Sequence, residues 1–67
     1  MPPSAELESI KARYPQVPRV HTATTAGQVV DLITRHRLFE AGPKKTYAVV
    51  MREVLDGDIE LKEAYNR

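Results

Sequence analysis

Cysteine is absent from this 67-residue chain, which excludes disulfide staples and thiolate metal sites, two devices that commonly hold small scaffolds together. Tryptophan is missing too, and no apolar run approaches the roughly 20 residues a bilayer span requires. Aromatic side chains are few, one phenylalanine and three tyrosines. The three glycines, Gly27, Gly42 and Gly57, fall at expected helix boundaries and do not cluster into a phosphate-cradling loop. No charged-then-apolar leader opens the sequence, so a cytoplasmic location is the default expectation, with no membrane partner. A net charge of only +1 does not mark a dedicated nucleic-acid binder. A chain of this length makes one domain and buries only about 60% of its unfolded surface. Its core must therefore pack well or be completed by another chain.

The apolar pattern is helical. The stretch that organises the reading is Lys44 to Gly57, where Tyr47, Val50, Met51 and Val54 recur at i, i+3, i+4 and i+7. Ala48 and Leu55 widen that face, and Arg52, Glu53 and Asp56 form a polar stripe with Val49 beside it. Ahead of it, Met1-Pro2-Pro3 reads as a frayed end and Ser4 as the N-cap of a helix over 4–14, which buries Leu7, Ile10 and Tyr14 before Pro15 stops it. Pro15-Gln16-Val17-Pro18 starts an extended strap, anchored by Val17 and Val20. Thr25-Ala26-Gly27-Gln28 reads as a capping box opening a helix over 25–41, which Gly42-Pro43 ends with glycine as a left-handed C-cap. Along this second helix Val29, Leu32, Ile33, His36 and Phe39 or Glu40 mark the buried side. Leu38 falls toward the polar side, near Thr34 and Arg35. A third helix over 45–56 and a short one over 59–66 complete an all-α bundle. The short helix is capped by Asp58 or by a Glu60/Glu63 pair, staples Ile59 onto Ala64 and docks through Ile59, Leu61 and Tyr65. The expected core is Leu7, Ile10, Val29, Leu32, Ile33, Phe39, Val50, Met51, Val54 and Ile59.

Candidate chemistry is sparse. His21 and His36 have no cysteine or suitably spaced carboxylate beside them, and Ser4 and Ser9 have no histidine–carboxylate arrangement. No catalytic residue, metal or cofactor is expected. Charge is unevenly spread: residues 1–45 carry seven cations against four carboxylates, and residues 46–67 carry three against five. The cations gather at one joint, where Arg35, His36, Arg37, Lys44 and Lys45 surround the Ala41-Gly42-Pro43 turn. Lys44 and Lys45 stand at a helix start whose dipole disfavours positive charge. With Leu38 and Val49 directed outward, and Arg52 on the polar stripe of the third helix, they outline a contact surface of Arg35, Arg37, Leu38, Lys44, Lys45, Val49 and Arg52; the alternative packs Leu38 and Val49 against the Val17–Val20 strap inside the monomer. An apolar patch edged by cations suits an acidic-rimmed protein surface. The expected function is a non-catalytic accessory or regulatory protein that binds a larger protein. The alternative is a small helix–turn–helix-like DNA-binding transcriptional regulator, with Thr46, Tyr47 and Val49 at the groove. Self-association stays open.

Lys45-Thr46-Tyr47-Ala48-Val49-Val50-Met51-Arg52-Glu53-Val54-Leu55-Asp56-Gly57-Asp58-Ile59 resembles a helix of bacterial RNA polymerase omega subunits. That helix runs Lys-Thr, an apolar-rich segment, Arg-Glu, an apolar residue and then Gly and Ile two positions apart. The family's basic, alanine-rich helix has only an echo in Asp31-Leu32-Ile33 and Arg35/Arg37. The resemblance implies a polymerase accessory that clamps a larger subunit. Residues 37–60 are also similar to the helix–Pro–helix layout of VbhA-type antitoxins, small helical inhibitors of Fic enzymes. Their Ser/Thr-x-x-x-Glu-Gly motif is absent here, since Thr34 and Glu40 are wrongly spaced and Ala41 follows the glutamate. The two likenesses agree only on class, a small protein that binds a larger one.

Overall fold

The first helix, α1, spans Ser4–Lys11, and it opens a computed structural model that describes residues 4–67. The expected fraying of Met1-Pro2-Pro3 lies outside the described residues. Ser4, expected as a cap, is already helical. The helix also ends earlier than the expected Tyr14, because Pro15 disfavours helical backbone at the residue before it. The chain instead tightens into i→i+3 turns, with the Arg13 N–H on the Ile10 carbonyl and the Tyr14 N–H on the Lys11 carbonyl.

The connector is not an extended strap. Two proline turns follow one another, with the Val17 N–H bonded to the Tyr14 carbonyl and the Val20 N–H to the Val17 carbonyl. Pro15 and Pro18 each occupy the second position of a turn, the place proline's fixed φ suits. A 3-10 turn over Val20–Thr22 then leads into α2, Ala26–Ala41. Thr25 caps α2 through its side-chain oxygen, which accepts the Gln28 N–H at 3.1 Å. The Gln28 amide oxygen reaches one residue further back than a standard box, accepting the Thr24 N–H and hydroxyl. Gly42 ends α2 at φ 78°, ψ −161°, which is not the left-handed helical cap expected but a region only glycine adopts comfortably. A 3-10 turn over Gly42–Lys44 leads to α3, Tyr47–Gly57, whose cap Thr46 accepts the Val49 N–H. The last helix, α4, covers Ile59–Asn66, and Asp58 caps it by accepting the Leu61 N–H at 3.1 Å. Among the described residues the fold is all-α, three main helices and a short fourth.

The hub is α2, not α3: it packs against α3, α4 and both 3-10 turns. Its buried face is Val29, Val30, Ile33 and Thr34, each 1% exposed or less. That face is rotated from the expected one. Val30 and Thr34 are inside, Leu32 and His36 are half-buried, and Phe39 is 87% exposed. Leu38, expected outward, packs half-buried against the core. Leu7, Ile10, Val50 and Val54 are buried as expected, joined by Val17, Val20, Ala23 and Leu61, while Met51 is half-buried. Ile59 is 71% exposed and does not staple α4. With Asp58 as the cap, Asp58, Leu61 and Ala64 share the inward side at three-residue spacing, and one step of 100° turns Ile59 outward.

Two polar ties cross this core. Lys11 is 6% exposed, and its ammonium donates to Glu8 and to the Ala23 carbonyl, both at 2.8 Å, fixing the connector to α1. Asp58, also 6% exposed, accepts the Tyr14 hydroxyl across 44 residues and lies 3.4 Å from the Arg13 guanidinium. Burial pushes the Asp58 carboxyl upward. The Tyr14 hydroxyl, the Leu61 and Glu60 backbone N–H groups and the Arg13 charge outweigh it, so the pKa falls below 3.8. Burial, followed by the bond to Asp58 and its charge, raises the Tyr14 hydroxyl to about 12.

A carboxyl with a depressed folded pKa contributes stability that is complete above its unfolded value, here 3.8, and is lost as pH falls through the folded value. Asp58→Asn keeps a good capping residue but removes the charge. It should cost about 1–2 kcal/mol at neutral pH and flatten part of the acid limb of a Tm-versus-pH profile. Thr34 is fully buried and its hydroxyl has no hydrogen-bond partner. Thr34→Val keeps the shape and removes the unsatisfied group, so urea denaturation should show a gain of about 1 kcal/mol.

Candidate interaction surface

The joint between α2 and α3 projects from the core. From Phe39 to Val49 every residue is exposed except Gly42, which is intermediate. Expected contact residues cluster here, but they do not all point the same way. Arg35 is turned outward and donates through Nε to both Asp31 oxygens at 3.0 Å. Two residues later, 200° around the helix, Arg37 is exposed on the side of the Tyr14 hydroxyl, where its charge is felt. Leu38 faces the core, Lys44 is exposed in the 3-10 turn, and Arg52 lies in a groove between α3 and α4 with Ala48, Met51, Leu55 and Lys62. Lys45 is bonded to Glu53 at 3.1 Å, so a carboxylate further along α3 offsets its unfavourable place at the helix start. Val49 is 48% exposed beside the polar stripe.

A second apolar stripe lies along the outward side of α2. Leu32, His36 and Phe39 follow i, i+4, i+7 spacing and, with Pro18, Arg19 and Arg35, line a depression of about 410 Å³ where the connector meets the helix. His36 lies 3.6 Å from Glu40. Asp31, at the edge of the stripe, also accepts the Tyr47 hydroxyl at 2.6 Å. The bonds from Tyr47 and Arg35 hold the Asp31 carboxyl below its ordinary range, and burial together with Asp31 raises the Tyr47 hydroxyl to about 12. His21 is exposed, and among the described residues no three histidines or carboxylates converge on a metal-sized site.

Arg19 was not among the residues the sequence singled out. It follows Pro18 at the third position of a turn and has φ 67°, ψ 5°, the only positive φ at a non-glycine residue among those described. Glycine or asparagine ordinarily fills that position. Its guanidinium forms no ion pair with a described carboxylate. The Pro18-Arg19 pair could have signalled the turn. Phe39 had no such signal, since it shares helical spacing with Leu32 and His36 and reads as core.

Left-handed backbone at a residue with a Cβ costs about 1–2 kcal/mol, and glycine's added chain entropy offsets about 0.5–1 of that. Arg19→Gly should therefore leave Tm unchanged or slightly higher. Phe39→Ser, at a site already in water, should change stability by no more than about 0.5 kcal/mol in urea denaturation. No protein-family model, curated protein or solved structure matches this chain.

Proposed function

We propose that this chain is a non-catalytic accessory or regulatory protein that works by binding a larger protein through the outer side of α2 and the α2–α3 joint. The observation that carries the reading is Phe39, the chain's single phenylalanine, left 87% exposed beside Leu32 and Pro18. A 67-residue chain has little apolar surface to spare, and covering a large apolar side chain is worth about 1.5–3 kcal/mol that this fold forgoes. A partner recovers it. The likenesses of 45–59 to polymerase omega subunits and of 37–60 to VbhA-type antitoxins are in keeping with this class, and neither names the partner.

The rival, a small DNA-binding regulator, draws on Arg37 and Lys44, exposed cations that pair with no described carboxylate. Two of the three side chains a groove-reading version needs are occupied: the Thr46 hydroxyl oxygen caps α3 and the Tyr47 hydroxyl is bonded to Asp31. Arg35 and Lys45 each already hold a carboxylate, Asp31 and Glu53. Titration with random-sequence DNA at two salt concentrations separates the readings. Protein recognition expects no binding at low salt; binding that weakens steeply as salt rises would overturn it, because counterion release dominates DNA affinity.

A further inference from the structure

Resting on that protein-binding reading, we infer that the Leu32–His36–Phe39 stripe receives an acidic amphipathic helix of the partner, whose carboxylates meet Arg19 and Arg35. Shape is the first reason. Seven residues of helix set Leu32 and Phe39 about 10 Å apart, two turns, which is the spacing of i and i+7 anchors on a facing helix. The depression between them, walled by Pro18 and Arg19 on the connector, accommodates an incoming apolar side chain.

Charge is the second reason. Among the described residues Arg19, Arg37, Lys44 and Arg52 are cations without an ion pair, while Glu40, which has only the His36 imidazole beside it, and Glu63 are the carboxylates that no lysine or arginine pairs. The surface therefore presents unmatched positive charge, and Arg19 presents it at the stripe. Guanidinium groups suit a carboxylate partner because their fork donates two parallel hydrogen bonds. Arg35 already presents its Nε to Asp31, leaving its terminal nitrogens for a second acid. The strained backbone of Arg19 points the same way. The turn would be satisfied by glycine, yet it holds a long cation at the mouth of the apolar depression.

A second copy of this chain fits less well. Two-fold antiparallel pairing of α2 about the middle of this stripe sets the two Arg35 guanidinium groups near each other at the centre of the contact.

The test is selection of displayed helical peptides on the intact chain. Their i, i+4 and i+7 positions are Leu, Phe or Met, and the flanking positions are drawn equally from Glu, Lys and Gln. Glu should be enriched at the flanks. Selected peptides should bind Phe39→Ser about tenfold or more weakly, and Arg19→Gly several-fold more weakly with less salt dependence. Lys enrichment, no charge preference, no enrichment, or equal binding to Phe39→Ser overturns the inference. So does a dimer in sedimentation equilibrium that Phe39→Ser dissolves. Those outcomes leave the protein-binding reading standing, whereas salt-sensitive DNA binding removes it.

Discussion

Everything in this fold depends on burying one face of α2. Val29, Val30, Ile33 and Thr34 are inaccessible to water, and α3, α4 and the connector are arranged around them. A helix has one inward side, and α2 has apolar residues for nearly two. Once Val30 and Thr34 turn inward, Leu32, His36 and Phe39 are carried around toward solvent by helical geometry alone. The exposed stripe is therefore a direct consequence of how the core is made. The choice has a cost inside as well, since the Thr34 hydroxyl is buried without a partner.

Polar contacts take the place of the staples that the composition withholds. Asp58 ends one helix joint, starts α4 and holds Tyr14, so a single carboxylate links the two ends of the chain. Lys11 does the same for the connector, with its ammonium on Glu8 and the Ala23 carbonyl. Both are charged groups held away from water, and each is stable there because its partners satisfy it. A third tie, Glu6 with Arg67, is exposed and contributes little by comparison.

The outer surface has the opposite character. Around the α2–α3 joint, apolar side chains stand in water, and Arg37 and Lys44 pair with no described carboxylate. Arg19 adds a local conformational cost. Features that weaken a small fold without serving its interior are the ones expected where a surface does its work.

The sequence by itself determined the elements. Pro15, the Thr25 cap, Gly42-Pro43 and Gly57 mark boundaries through local backbone chemistry, so four helices and their limits were legible to within a few residues. The Asp58 cap was legible only as one of two choices, settled by which carboxyl could meet both Tyr14 and the Leu61 N–H. Tertiary structure alone decided which side of α2 is inside. Val29 and Ile33 belong to either face, and the spacing of Leu32, His36 and Phe39 satisfies a helical pattern as well as that of Val30 and Thr34. The same limit hid the candidate surface, placing Phe39 in the core and Leu38 outside. Periodicity fixes how residues are grouped around a helix axis, but the rotation of that axis is set by the neighbours it packs against, which lie far away in the chain.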